Sequence, residues 1–433
     1  MNAYAGPVRA ITRVTLRLVP LTPIHIGDGT EWRPDEYFVE EPAAPARRYD
    51  EFGEEIEESR PTEPRMLCRF DQQAAMRAMT PVQRNQFATA LDRGDLSGAA
   101  ELLRLAGRAH VLDGMRLRLS QASANDLSLA MENPLRREGA VKPFIRSGGA
   151  PFIPGSSIKG AFRTALASAA LPRGQREASE WDHASAIAAA FGLDPHRTET
   201  DPLRFLFVSD ARLPDDATVI DKTEVIKSGG RRREPPIQEH YERTKALAIE
   251  NEDLEIRVSL ALDARAARPE GGIRRAEACF DLARLLKCLR SFHTQLFKEE
   301  LTRFFEGPTK KLLTDWLRAH TGPNKEPPFS SQGYAPGFVL LRLGRFGHFE
   351  SKSLEGVRRG HFPQARDRNQ RIREPNAWGV TRTITRDAKD NPARREGAEG
   401  SQVTRTITRD AKDNPIPFGW VIGWVVQEET QPC

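Results

Sequence analysis

Residues 151–166, PFIPGSSIKGAFRTAL, put two hydroxyls, a glycine and two cations directly after a chain-breaking Pro154–Gly155 pair. Ser156 or Ser157 is placed to cap a helix whose apolar positions Ile158, Phe162, Ala165, Leu166 and Ala169 recur at helical spacing. Lys159 and Arg163 lie four residues apart, so they project from one face of that helix. N–H groups left unpaired at a helix start, with hydroxyls and two cations beside them, form a cradle for an anion. A row of such contacts along a phosphate backbone binds nucleic acid. Taken alone, the same segment also reads as an ordinary capped amphipathic helix with two solvated basic residues.

The composition bounds what such a cradle serves. At 433 residues the chain is long enough for two or three domains with cores of their own. A hydrophobic fraction of 39% beside 29% charged residues describes a protein with much surface, long loops or large partner interfaces. The net charge of +5 and pI near 9.1 permit a nucleic-acid partner without demanding one. Arginine outnumbers lysine, which suits paired grips on phosphate and stacking on bases, though a GC-rich genome produces the same bias. Cys68, Cys279, Cys288 and Cys433 show no C-x-x-C spacing, a pattern that fits reduced thiols better than a disulfide scaffold or a zinc site. No run approaches the roughly 18 apolar residues of a membrane span, and no signal-peptide core opens the chain. A cytoplasmic protein without metal or cofactor is expected.

The elements that must position the cradle can be read in order. Residues 11–27 predict a strand running into a turn at Pro23 and Gly27. Residues 31–64 carry 12 acids against 4 bases and read as a solvated insertion or long hairpin loop. The window 71–106 predicts two helices divided near Gly94. Residues 134–163 reverse the charge, with six cations against Glu138. Strands are expected at 203–210, 254–263, 338–344 and 418–426, helices at about 277–305 and 309–320, and a long mobile loop at 227–243. Strands mixed with helices in this order make an α+β fold. VTRTITRDAKDNP stands at 380–392 and again, unchanged, at 403–415. One perfect copy is a local duplication rather than a solenoid, and only one copy can occupy a given strand register.

Three landmarks now occur together: TPIHIG (22–27), IPGSSIKGAFRTAL (153–166) and GRFGHFESKS (344–353), with VSDARL, LEIRVSLALD and FGWVIGWV in the expected order. In that order they resemble the RAMP superfamily of CRISPR RNA-binding proteins, and within it the family of the fifth Csm subunit of type III-A effector complexes. The resemblance implies tandem ferredoxin-like (RRM-type) domains, here expected at 1–268 and 269–433, and a glycine-rich loop near the C-terminus. It also implies a non-catalytic subunit that caps the 3′ region of the CRISPR guide RNA. Such a subunit docks on neighbouring RAMP backbone subunits and supports guide maturation, with cellular maturation nucleases as further partners. Gly155, Ser156, Ser157, Lys159 and Arg163 match the family's RNA-gripping helix start, and Gly344, Arg345, Gly347, His348, Ser351 and Lys352 match the loop, with Lys and Ser as phosphate contacts. Of Phe346 and Phe349, one is expected to stack on a base and one to bury. Residues 342–374 hold nine cations against four acids, so the neighbourhood is basic.

His25 invites a catalytic reading, since a related family of repeat-RNA endonucleases uses a histidine in its N-terminal half. A metal-free ribonuclease needs a base, an acid and a cation around one 2′-hydroxyl. Between Ile24 and Ile26 at a strand end, His25 reads better as a structural or RNA-contacting residue. Asp210 and Asp263 end predicted strands and read as turn residues. No Walker sequence is present. The alternatives are a metal-independent repeat-RNA endoribonuclease and another RAMP backbone subunit of the filament.

Overall fold

The computed structural model describes residues 10–41, 64–132, 139–171, 183–194, 196–227, 238–269, 273–305, 307–321, 338–354 and 404–432. Its organising element is the strand Ala10–Pro20, whose alternating Val14, Leu16 and Leu18 are buried while Arg13 faces out. This strand pairs antiparallel on both sides, setting Leu16 opposite Val258 of Ile256–Asp263 and opposite Val425 of Trp420–Pro432. Leu206–Val208 extends the sheet beyond Ile256–Asp263, and Val339–Arg342 extends it beyond Trp420–Pro432.

Numbered along the chain, the strands 10–20, 206–208, 256–263 and 420–432 lie in the spatial order 4-1-3-2. Helix Gly155–Ala170 connects the first to the second, and helix Leu282–Phe304 the third to the fourth. This is the βαββαβ order of a ferredoxin-like unit. Both helices cover the inner face of the sheet. Ile158, Phe162 and Leu166 from one and Leu285, Leu289, Phe292 and Leu296 from the other are buried in the main core. Each such side chain contributes about 1.5–3 kcal/mol of burial, which anchors the helices against the sheet. Of the expected apolar stripe on Gly155–Ala170 only Ala169 faces solvent.

A second, eight-stranded sheet grows entirely out of the connections of the first. Its strands Tyr37–Glu40, Met66–Phe70, Val111–Leu119 and Val141–Lys142 lie between the first and second strands of the ferredoxin-like unit. Thr218–Lys227 and Gln238–Thr244 lie between the second and third, and Thr404–Arg409 and Pro415–Pro417 precede the last. The fold is therefore α+β, of tandem ferredoxin-like character with helical insertions. The expected division at 268 does not separate the sheets, because each draws strands from both sides of that residue.

Several local expectations change. The window 71–106 folds as three helices, Gln72–Ala78, Pro81–Asp92 and Leu96–Gly107. The extra boundary is Thr80, which caps the second helix in a reciprocal box with Gln83. Within 31–64, Tyr37–Glu40 is a strand that pairs antiparallel with Met66–Phe70, Glu40 opposite Met66; 42–63 lie outside the described residues. The segment 227–243 is not one loop, since Gln238–Thr244 returns as a strand on Thr218–Lys227, with His240 opposite Lys222 and Tyr241 buried. The charges of the returning strand are absorbed by pairing, Glu242 with Arg146 and Arg243 with Asp221, and residues 228–237 lie outside the description. Of the duplicated segments, the copy at 403–415 supplies the strand Thr404–Arg409, which pairs with 224–227; the copy at 380–392 lies outside the described residues. No helix among the described residues is long and apolar enough to cross a membrane.

Candidate nucleic-acid interface

Three chain segments converge at the start of helix Gly155–Ala170. The turn after the first strand is pinned through its main chain to the start of the last strand and to the late loop: Gly419 N–H donates to the Pro23 carbonyl at 2.6 Å, and Arg345 N–H to the His25 carbonyl at 2.8 Å. Gly344 makes this approach possible. Its φ of 86° lies in the left-handed region, and a Cβ there would run into the His25 carbonyl oxygen. The helix enters beside them at Gly155, packed so closely on the Val208 and Ser209 carbonyls that no side chain fits.

The result is a groove of about 540 Å³. One wall is the helix, with Ser156, Ser157, Gly160, Arg163 and Thr164; the other is the turn and loop, with Gly27, Arg342, Gly344, Arg345, Ser351 and Lys352. Among its described lining residues stand four cations and no carboxylate. The two clusters singled out in sequence, almost two hundred residues apart, thus face one space.

The individual side chains divide the work differently than expected. Neither serine caps the helix: the N-cap is Pro154, and Asp210 Oδ1 accepts the Gly155 N–H at 2.7 Å. Asp210 therefore fills part of the anion cradle itself, and Ser156 and Ser157 turn to the groove. Lys159 does not line it. Its Nζ donates to the Leu206 carbonyl at 2.7 Å, and burial lowers its pKa. The groove side of the helix is the stripe Ser156, Ser157, Gly160, Arg163 and Thr164, and Lys159 lies about 100° round from its middle. Arg163 does line the groove, with Nη1 paired to Asp201 at 2.7 Å and its guanidinium 5.4 Å from the Phe191 ring.

In the loop, Arg345 and Lys352 are exposed, and Lys352 Nζ lies 3.4 Å from the Arg345 carbonyl. Burial and the nearby Arg345 and Arg342 lower the Lys352 pKa. Ser351 holds the loop rather than offering its hydroxyl, donating to the Gly347 carbonyl at 2.6 Å. His348 does not reach into the groove either. Its backbone takes a φ of 55°, and its buried imidazole, facing Arg342 and Arg405, has its pKa lowered well below the usual value. Phe346 is the phenylalanine that buries, against Tyr241 and Phe418; the Phe349 side chain lies outside the description.

His25 is 2% exposed and sits in an aromatic cage of Tyr241, Phe346 and Phe144, with ring centroids 4.8, 5.9 and 6.3 Å away. Its Nδ1 lies 2.7 Å from the Glu242 carbonyl, which accepts only, so Nδ1 carries the proton. Burial pushes its pKa down to about 4, so it is neutral at pH 7. Its main chain, rather than its ring, builds the groove. Asp263 is a turn residue as read, its carboxylate accepting the Arg265 N–H at 2.9 Å.

Sequence reasoning missed Arg342, Gly27, Gly160 and Thr164. Gly160 and Thr164 were legible as i+4 and i+8 partners of Ser156. Arg342 carried no signal, because its place at the groove depends on a strand end.

The class of protein defined here is an α+β fold built on a ferredoxin-like sheet, with a cation-lined groove between its first helix and a late glycine-containing loop. Residues 17–330 match the sequence profile of the RAMP superfamily, and the chain belongs to that superfamily. Its fold is similar to that of a chain in a Csm–crRNA–target RNA ternary complex of a type III-A CRISPR-Cas system, at a TM-score of 0.53 and 18% identity over 95% of this chain and 99% of that one. It is also similar to Csm5 of T. onnurineus, at a TM-score of 0.43 and 18% identity over 76% and 89%. No curated protein matches it by sequence.

Proposed function

We propose that the chain is a non-catalytic subunit of a type III-A Csm complex that binds the 3′ region of the CRISPR guide RNA through the groove and docks on a neighbouring RAMP backbone subunit. The observation that carries this reading is the convergence of the helix start and the late loop on one groove lined, among the described residues, by cations and hydroxyls without a carboxylate. A guide whose sequence changes with every spacer must be gripped through phosphate and sugar, and this lining offers that chemistry. Membership of the RAMP superfamily supports it, as does the similar chain from a complex that contains crRNA and target RNA. Capping, guide maturation and assembly follow from the resemblance to the fifth Csm subunit.

The non-catalytic reading is supported by His25. Its ring is enclosed by three aromatic residues, and its Nδ1 proton is committed to a main-chain carbonyl. Incubating the protein with repeat RNA in the absence of metal tests this. Intact RNA is expected, and cleavage that disappears in His25→Ala overturns it. Native mass spectrometry of the assembled complex is expected to count one copy; several copies would make it a filament subunit.

A further inference from the structure

We infer that the 403–415 copy of the duplicated segment positions the groove's glycine-containing turn through an ion pair between Arg405 and Glu350. The inference rests on the groove reading above for its functional consequence, and on the geometry alone for its structural one.

The turn at 344–351 is strained. Gly344 has φ 86° and His348, which bears a side chain, has φ 55°. Such a backbone persists only where its surroundings hold it. Two of the ties are made to main-chain carbonyls: the Arg345 N–H donates to His25, and the Arg342 side chain donates through Nη2 to Phe346 at 3.1 Å. The third is Glu350, in the last turn of this segment, 2% exposed with its Oε1 3.2 Å from Arg405 Nη2.

Arg405 is a fixed anchor. It is 1% exposed, its Nε donates to Glu300 Oε1 at 2.8 Å, and its guanidinium lies 4.2 Å from the Phe304 ring. Glu300 in turn accepts from Arg342 and from Trp420 Nε1 at 2.7 Å, so the long helix, the last strand and the duplicated strand share one buried charge network. Arg405 does not line the groove, whereas Arg345, Ser351 and Lys352 on either side of Glu350 do. Without Arg405 the buried Glu350 carboxylate loses its direct ion pair and keeps only the Arg342 charge, which Glu300 already engages, so the turn must move to hydrate it. Arg405 is thus a positioning residue. Arg382 has the same sequence neighbours in the copy at 380–392 and provides an internal control.

The test compares Arg405→Met, Glu350→Gln, the double variant and Arg382→Met with the unaltered full chain. Two readouts are taken: amide hydrogen exchange across 344–352, and affinity for single-stranded RNAs of two unrelated sequences over a salt series. Arg405→Met is expected to speed exchange in the turn while leaving Gly155–Ala170 protected. It should weaken RNA binding about tenfold with an unchanged salt slope, since no phosphate contact is removed. The double variant should recover most of both, and Arg382→Met should behave as unaltered protein. Unchanged exchange in the turn, or an equal effect from Arg382→Met, overturns the inference. If Arg405→Met does not fold, Glu350→Gln carries the test, with faster turn exchange expected and unchanged exchange overturning it. Should the unaltered protein bind no RNA while Arg405→Met still loosens the turn, the groove reading fails and the positioning role stands.

Discussion

Arg345 and Lys352 are the exposed cations of the groove, and they face it from a loop in which the Ser351 hydroxyl is already bonded to the Gly347 carbonyl. Arg345→Ala and Lys352→Ala should each weaken RNA binding alike for unrelated sequences and flatten the salt dependence by about 0.7. Fluorescence anisotropy over a salt series reads both effects, and a changed sequence preference at constant slope contradicts the backbone grip. Lys159→Ala should leave the slope as it is, because the Lys159 ammonium is bound to the Leu206 carbonyl. Residue type and spacing were enough to pick out Ser156, Ser157 and Arg163. They misplaced Lys159 and His348, which do not line the groove, and they gave the groove-lining Ser351 a free hydroxyl that is in fact bonded to the Gly347 carbonyl.

Gly155 sets the angle at which the groove helix meets its sheet. Gly155→Ala forces a methyl group against the Val208 and Ser209 carbonyls, which belong to rigid backbone. A loss of about 1–3 kcal/mol in urea unfolding is expected, together with weaker RNA binding because Ser156 and Ser157 shift with the helix. The duplicated segment makes the opposite prediction. Excising residues 380–402 restores a single copy, leaves Thr404–Arg409 in its register, and roughly halves the connection back to Leu354. Closing a shorter loop changes stability by only about 0.6 kcal/mol, so melting temperature and RNA affinity should stay where they are. A large loss of either would show that the first copy contributes. The strands and long helices were legible from periodicity. The hairpin at 218–244 was not, because a buried strand bearing His240, Glu242 and Arg243 looks like a loop until its partners for those charges are known.

Among the described residues of the molecule, four histidines with lowered pKa values contribute to the response to acid. Burial holds His25 and His240 at about 4 and His293 at about 3, and lowers His348 well below its usual value. In the unfolded chain each titrates near 6.5. Between those values the unfolded state takes up protons that the native state refuses. Stability is therefore complete above about pH 6.5 and falls as pH drops toward 4, by up to roughly 1.4 kcal/mol per pH unit for each histidine. The urea midpoint should be flat above pH 7 and decline below it, and His240→Gln should remove about one proton from the slope. A midpoint constant down to pH 5 contradicts this.

The order of strands and helices, the polar stripe on Gly155–Ala170, the basic late loop and the superfamily itself were written in the sequence, since each depends on neighbours within a few turns or on motifs read in order. Only the tertiary structure decided that the second sheet is made from the connections of the first, that Asp210 occupies the helix start, and that Glu300, Arg342, Arg405 and Glu350 lock together. Those outcomes join residues 40 to more than 200 positions apart. Which partner a buried charge takes is settled by the packing around it, and spacing along the chain carries no record of that.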